Sequence, residues 1–176
     1  MEASKLIGFF VGIGVAVLLI WAMFKRFNTD GRTKTEYDER QKTIRGIGYT
    51  YGYYTLMAYL ALWIGLGYVD IDTHIPISII CFTGIMVSGL VLAGYCIMHD
   101  AYWGMNNDVN FYTKFFIMIA IANLIYGISG FVSGDMIVDG VLQPEFINFE
   151  CGILLAVLCI MIFVKQRRDK KEEGEG

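Results

Sequence analysis

The string in this chain that comes nearest to a catalytic motif is Gly127-Ile128-Ser129-Gly130, in which glycines flank a serine. A serine nucleophile needs a base within hydrogen-bond reach. The two histidines of the chain are His74 and His99. Ser129 lies near the end of a hydrophobic segment that starts after His99, and His74 falls in a short loop. Neither histidine is expected to reach the serine, so we predict a protein without catalytic residues.

Metal and redox chemistry have equally weak support. The loop 99–110 contains several Asp and Asn side chains, whose oxygens suit hard cations, but it lacks the acidic residue that ends an EF-hand loop. We interpret it as an interfacial turn held by Tyr102 and Trp103. The cysteines lack the spacing of a metal site. A disulfide between Cys81 and Cys151 stays open, although small buried thiols are the preferred interpretation. No metal or cofactor is predicted.

Five hydrophobic segments dominate the chain. Of its 176 residues, 56% are hydrophobic and 18% are charged, and a helix that crosses a bilayer needs about 20 mostly apolar residues. The composition excludes an ordinary soluble domain. It predicts an all-α integral membrane protein that forms a single domain over residues 1–176, with the lipid bilayer as its surroundings. The predicted spans are 6–24, 46–69, 75–98, 115–132 and 146–164, followed by a short charged tail at 165–176.

Basic residues occur only in alternate connectors. All but one of the Lys and Arg residues fall in three places: 25–45, Lys114 and 165–171. The connectors 70–74 and 134–150 contain acids but no Lys or Arg. Short loops rich in Lys and Arg stay in the cytoplasm. The pattern therefore predicts an outside N-terminus, five crossings and a cytoplasmic C-terminus, in a multi-pass protein of the cell membrane.

Two local patterns indicate how these segments pack and connect. Small residues recur four positions apart, as in Gly48/Gly52, Gly89/Ala93 and Gly152/Ala156. Such pairs let helices approach closely in lipid, which predicts one bundle and is compatible with a homo-oligomer without requiring it. Asp139-Gly140 between apolar residues is a preferred pair for a two-residue hairpin turn. We therefore expect a short extracellular β-hairpin near 136–142.

The interiors of the predicted spans hold little polar chemistry. No charged side chain or histidine is expected there, although such residues usually mark function. Asn123, midway through the fourth span, is the most polar interior residue. We interpret it as the donor of an interhelical hydrogen bond, with a substrate or ion contact as the alternative. The second span is unusually rich in tyrosine, so some of its hydroxyls should bond across helices or line a polar crevice.

Two segments resemble pieces of a known group. The string Tyr37-Asp38-Glu39-Arg40-Gln41, with Arg45-Gly46 after it, resembles a recurring segment of small multi-pass membrane proteins of Firmicutes. Asp100-Ala101-Tyr102 is similar to a second piece of them. The resemblance covers residues 36–114 and implies a bacterial plasma membrane, but the group has no established activity to carry over. The Gly-x-Ser-Gly string also resembles that of rhomboid proteases, whose sixth helix has no counterpart here.

These patterns direct attention to the cytoplasmic face, where charged and aromatic residues concentrate. We predict a non-enzymatic accessory or regulatory subunit that engages a membrane or cytoplasmic protein there, and no nucleic acid. The alternative is a transport component for a neutral or lipophilic substrate, with Asn123 and the tyrosines of the second span along its path. The predicted partner-binding residues are Glu36, Asp38, Glu39, Arg40, Arg45, Asp100 and Tyr102.

Overall fold

The computed structural model of the chain describes residues 10, 11, 14, 15, 17, 18, 21–23, 25–68 and 74–174. These residues form an all-helical fold with one small hairpin. The described residues between 10 and 27 are helical, and we call them α1. The other elements are α2 (Glu39–Tyr68), α3 (Ile77–Met98), α4 (Val109–Ser133), β1 (Ile137–Val138), β2 (Val141–Leu142) and α5 (Phe146–Gly174).

Three helices are long and apolar enough to cross a membrane, judged by length and composition: Ile77–Met98, Val109–Ser133 and Phe146–Glu172. They coincide with the predicted third, fourth and fifth spans. The predicted second span, 46–69, falls in α2, which has 30 residues but whose frequent tyrosines and glycines lower its mean hydropathy. Among the described residues, α2 is therefore not a candidate by the same measure. The predicted first span, 6–24, lies largely outside the described residues.

Two helices begin at capping aspartates. The Asp38 carboxylate accepts a hydrogen bond from the Gln41 backbone N–H at 2.6 Å, and the Gln41 side-chain oxygen accepts one from the Asp38 N–H at 3.3 Å. This reciprocal pair is a capping box, and it starts α2 well before the predicted span. Asp108 caps α4 by accepting from the Phe111 N–H at 3.0 Å. α4 ends at Ser133, and Gly134 caps it with a φ of 80°, which suits glycine.

The helices after residue 38 pack side by side in the order α2, α3, α5, α4. α3 contacts α2 through a face on which Leu92 lies against Gly52. With another face it contacts α5, where Ile97 packs with Leu158 and Ile162. In this part of the chain the predicted bundle therefore consists of helices packed in this order. Its order differs from chain order because α5 lies between α3 and α4.

The closest backbone contact joins α4 and α5. A Cβ atom on Gly127 would lie 2.5 Å from the Phe149 Cα, and one on Gly152 would lie 2.8 Å from the Leu124 nitrogen. Glycine has no Cβ, so these two positions let the backbones of the two helices touch. Gly152, predicted as a packing residue, lies at a helix interface. Gly89, predicted in the same way, has nothing within 4 Å of its Cβ position.

The predicted hairpin near 136–142 is confirmed. β1 and β2 pair antiparallel, with Val138 opposite Val141. Asp139 and Gly140 between them both have positive φ, 51° and 78°, as a type I′ turn requires. The Leu142 N–H donates to the carbonyl of His74, three residues before the start of α3, at 3.2 Å. The hairpin is thereby tied to the connector that precedes α3.

The segment 165–176, predicted to be a tail, continues α5 as far as Gly174. Lys165 pairs with Asp169 at 2.6 Å and Arg168 pairs with Glu172 at 3.1 Å. Acid and base four residues apart lie on the same side of a helix and stabilise it modestly. The charged end of α5 is therefore helical, rather than a separate unstructured segment.

Candidate functional site

The connectors 28–38 and 99–108 fold together at one end of the helices, and we call this assembly the connector junction. Asn28 and Asn107 form an isolated antiparallel bridge. The Asn107 side-chain amide also donates to the Asn28 side-chain oxygen at 2.6 Å, and the Asp108 N–H donates to the Phe27 carbonyl at 3.0 Å. Two connectors that α2 and α3 separate in the sequence therefore form one folded unit.

Asn106 is the central side chain of the connector junction and is only 8% exposed. Its Oδ1 accepts a hydrogen bond from the Glu36 backbone N–H at 2.9 Å, and its Nδ2 donates to the Lys34 carbonyl at 3.0 Å and to the Asp30 carboxylate at 3.1 Å. The Arg32 backbone N–H and the Asn106 amide both donate to Asp30 and lower the pKa of its carboxyl. Both ends of the buried amide thus have partners, as burial requires.

Arg45 reaches from α2 to the second connector. Its Cζ lies 4.2 Å from the centroid of the Tyr37 ring, within cation–π range. It donates to the carbonyls of Ala101 at 3.3 Å and Tyr102 at 3.5 Å, and to the Tyr49 hydroxyl at 3.4 Å. Bonds from a guanidinium to a charged acceptor are shorter, about 2.7–2.9 Å. Among the described residues Arg45 forms no ion pair with a carboxylate.

A crevice of about 180 Å³ opens beside Arg45. Its lining combines aromatic rings with hydrogen-bonding groups: Thr35, Tyr37, Arg45, Tyr102, Trp103, Asn107 and Tyr112. Partial burial raises the pKa of the Tyr37 hydroxyl and raises the pKa of Tyr102 to about 12. Both phenols therefore keep their protons at neutral pH and remain hydrogen-bond donors. We call this feature the Arg45 crevice.

The predicted partner-binding residues all lie in the connector junction or in the adjoining start of α2, but in different settings. Arg45 and Tyr102 line the Arg45 crevice. Asp100 pairs with Lys165 of α5 at 2.9 Å, so it joins the connector to that helix. The remaining four have exposed side chains on the outer surface of the junction: Glu36, Asp38, Glu39 and Arg40.

The residues that hold the junction together differ from those predicted to bind there. Asn106 and Asn107 were considered only as cation ligands, yet their amides crosslink the two connectors. Gln41 was not predicted at all, and its Nε2 donates to the carbonyls of Asp100 at 3.0 Å and Trp103 at 3.1 Å. The available signal was the run Asn-Asn-Asp before α4, since short amide side chains commonly bond backbone groups in turns.

Asn123 and Ser129 do not form the sites considered for them. The Asn123 amide donates to the Ile119 carbonyl at 2.9 Å, so its hydrogen bond lies within α4 and not between helices. Ser129 is exposed, and no hydrogen bond to a histidine is present in the described part of the chain. The cysteines are free thiols. The described residues contain no group of three His, Cys, Asp or Glu placed to hold a metal.

Glu150 is a buried acid that falls where the predicted connector 134–150 and the predicted fifth span 146–164 overlap. α5 already begins at Phe146, so Glu150 lies one turn inside the helix and is 8% exposed. Its Oε2 accepts from the Thr83 hydroxyl of α3 at 3.0 Å. Its Oε1 is the one buried side-chain N or O atom without a partner in the described chain. The expectation that span interiors lack ionisable groups is therefore wrong at this residue.

We expect the double substitution Glu150→Met with Thr83→Val to raise the free energy of unfolding by about 1–2 kcal/mol, because it removes a buried polar atom without a partner. Titration of the purified protein in mixed micelles with a denaturing detergent measures this change. Glu150→Met alone is the control. It leaves the Thr83 hydroxyl without its acceptor, so its free energy of unfolding should rise less than that of the double variant. A clear loss of stability in the double variant would mean that Oε1 has a partner in the membrane.

Comparison of the chain with protein families, curated proteins and solved structures found no match. The class of the protein therefore rests on its own structure. That structure is all-helical, and three of its helices are candidate spans, which suggests a multi-pass protein in contact with a lipid bilayer.

Proposed function

We propose that this chain is a five-span, non-enzymatic accessory or regulatory subunit of a bacterial plasma membrane, and that it engages another protein through the connector junction in the cytoplasm. One observation supports this most directly. The two connectors are joined by side-chain hydrogen bonds, centred on the buried Asn106, into one surface. A preordered surface loses less conformational entropy when a partner binds than a free loop does.

The contacts at the connector junction also support the proposed orientation. Arg45, near the start of α2, contacts the carbonyl of Ala101 beyond the end of α3. Lys165 of α5, just after the predicted fifth span, pairs with Asp100 in the same connector. The basic ends of these helices therefore meet at one end of the molecule. Because Lys and Arg favour the cytoplasmic side of short connectors, this end is the one we assign to the cytoplasm.

The surface proposed for partner binding is exposed and carries both signs of charge. The Glu39 side chain is 90% exposed and pairs with Lys42, itself 58% exposed, at 2.6 Å. Arg40 and Asp38 lie beside it and are exposed as well. Such an exposed pair contributes little to the stability of the fold. A complementary charged surface on a partner can use these groups to select orientation and speed association.

A photo-crosslinking side chain at position 39 tests this proposal in the full chain and in its native membrane. We expect one reproducible crosslinked protein from position 39 and none from position 139, an exposed site in the hairpin turn. With the crosslinker kept at position 39, the charge reversal Arg40→Glu should abolish the product without lowering the amount of protein. The proposal fails if position 39 yields nothing above background, or if position 139 captures the same species.

The transport alternative has less support. The Asn123 amide donates to a carbonyl of its own helix. Tyr53 and Tyr54 are 59% and 65% exposed and lie on the outside of α2. Neither arrangement makes a path through the described part of the molecule. Solute flux in reconstituted vesicles that Asn123→Ala abolishes would reverse this preference.

A further inference from the structure

The charge of Arg45 is not balanced by the residues around it. Its side chain is half-buried, and its acceptors are neutral oxygens 3.3–3.5 Å away. Two other basic residues in or beside the connector junction are neutralised, because Arg32 pairs with Glu36 at 3.1 Å and Lys165 of α5 pairs with Asp100 at 2.9 Å. A partly desolvated guanidinium ordinarily has an anionic partner. At Arg45 that partner is not a described residue of this chain.

The lining of the Arg45 crevice supplies hydrogen-bond donors and no acid. Tyr37, Tyr102 and Tyr112 are among its lining residues, and no Asp or Glu is. The amide of Asn107 is already used, since its oxygen accepts from the Gly104 N–H at 2.7 Å and its nitrogen donates to Asn28. The raised pKa values of Tyr37 and Tyr102 keep both phenols protonated. The crevice is therefore rich in donors, which is the chemistry that an oxyanion needs.

We propose that the Arg45 crevice binds a phosphate group, with Arg45 and the phenols of Tyr37, Tyr102 and Tyr112 as its donors. A phosphate accepts several hydrogen bonds at once, and the planar guanidinium matches two of its oxygens. The volume of about 180 Å³ is below the roughly 300–1,000 Å³ of pockets that hold drug-sized ligands. The ligand is therefore a phosphate monoester or inorganic phosphate, with little else inside the crevice.

Two sources of this group share the same chemistry. The crevice lies beside the starts of α2 and α4, at the polar end of a candidate span, where the phosphomonoester of phosphatidic acid is within reach. Inorganic phosphate can enter instead from the aqueous side. This inference goes beyond the proposed partner binding and does not depend on it, because a phosphate site needs no second protein.

The test uses the full chain in phosphatidylcholine nanodiscs and measures the midpoint of thermal unfolding. In one arm inorganic phosphate is titrated against chloride at constant ionic strength. In the other, phosphatidic acid replaces part of the phosphatidylcholine, with phosphatidylglycerol as the control for surface charge. We expect a saturable rise in the midpoint in at least one arm, since a ligand that binds the folded state stabilises it.

Arg45→Gln should weaken the apparent affinity by at least about ten-fold, the effect of losing a charged bidentate contact. Arg40→Gln is the matched control, because Arg40 is an exposed arginine on the same helix with one long bond, 3.4 Å, to the His99 carbonyl. It should change the affinity by less than about two-fold. If Arg45→Gln does not fold, Tyr37→Phe and Tyr102→Phe test the donors without removing the charge, and each should weaken binding several-fold.

A response to phosphate alone identifies the aqueous source, a response to phosphatidic acid alone identifies the lipid source, and a response to both supports the site with either. The inference is overturned by an absence of saturable binding in both arms. It is equally overturned if phosphatidylglycerol acts as strongly as phosphatidic acid, if Arg40→Gln matches Arg45→Gln, or if both tyrosine variants keep full affinity.

Discussion

Replacing Gly127 by alanine is expected to lower the free energy of unfolding by about 2 kcal/mol, the usual cost of adding a methyl group where the structure has no room for it. The new Cβ would lie 2.5 Å from the Cα and 2.8 Å from the nitrogen of Phe149. Both are backbone atoms, so no side-chain rotation relieves the contact and α4 must separate from α5. Unfolding in mixed micelles measures the loss.

The matched control lies three residues further along α4. A Cβ on Gly130 would meet only the Glu145 Cβ, at 3.5 Å, which is an ordinary contact. Gly130→Ala should therefore change stability by less than about 0.5 kcal/mol, and alanine favours a helix slightly more than glycine does. Equal stability of Gly127→Ala and the parent protein would show that these two helices do not touch at Gly127.

Asn106→Ala is expected to open the connector junction at a cost of about 3 kcal/mol, or roughly a hundred-fold in its local opening equilibrium. The substitution removes three hydrogen bonds of 2.9–3.1 Å and leaves the Glu36 N–H and the Lys34 carbonyl without their partners. Trypsin cleavage after Arg32 and Lys34 reports on this opening, because both of these peptide bonds lie in the connector to which Asn106 is hydrogen-bonded. The cleavage rate should rise accordingly.

Two further variants check the cause. Asn110→Ala changes an exposed asparagine one helical turn away and should leave the cleavage rate within about two-fold of the parent. Asn106→Asp keeps the acceptor for the Glu36 N–H but loses both donors and sets a second carboxyl beside Asp30, so it should open the junction at least as much as alanine. Unchanged cleavage in Asn106→Ala would mean that the connectors are held elsewhere.

Features that depend on short stretches of sequence could be predicted. Hydrophobic length is a local property, and it located the three candidate spans. The Asp139-Gly140 turn is also local, because its two positive φ values need only those two residues and apolar flanks. The predicted second span, 46–69, covers only part of α2, because hydropathy marks lipid-facing length, whereas the helix itself begins at the Asp38 and Gln41 capping box.

Features that join distant segments could not be read in the same way. The burial of Glu150 depends on Thr83 of another helix, and a residue at the edge of a hydrophobic segment looks the same whether it faces lipid, water or protein. The arginine and tyrosine of the crevice were selected from the sequence, but as a docking surface. Their inward position arises from the fold of the connectors, which rests on asparagines whose partners lie on the other connector.

The position of α5 between α3 and α4 has a consequence for biosynthesis. When the ribosome has produced the chain only as far as the hairpin, α4 lacks the neighbour with which it makes its closest contact, and one flank of α3 is uncovered. Packing of the helices is therefore completed only after α5 has been made and has inserted between α3 and α4. A nascent chain that stalls before Phe146 would leave that side of α4 uncovered, with only the start of the helix held, by the bond from the Asp108 N–H to the Phe27 carbonyl. Such an incomplete chain is a suitable substrate for membrane quality control.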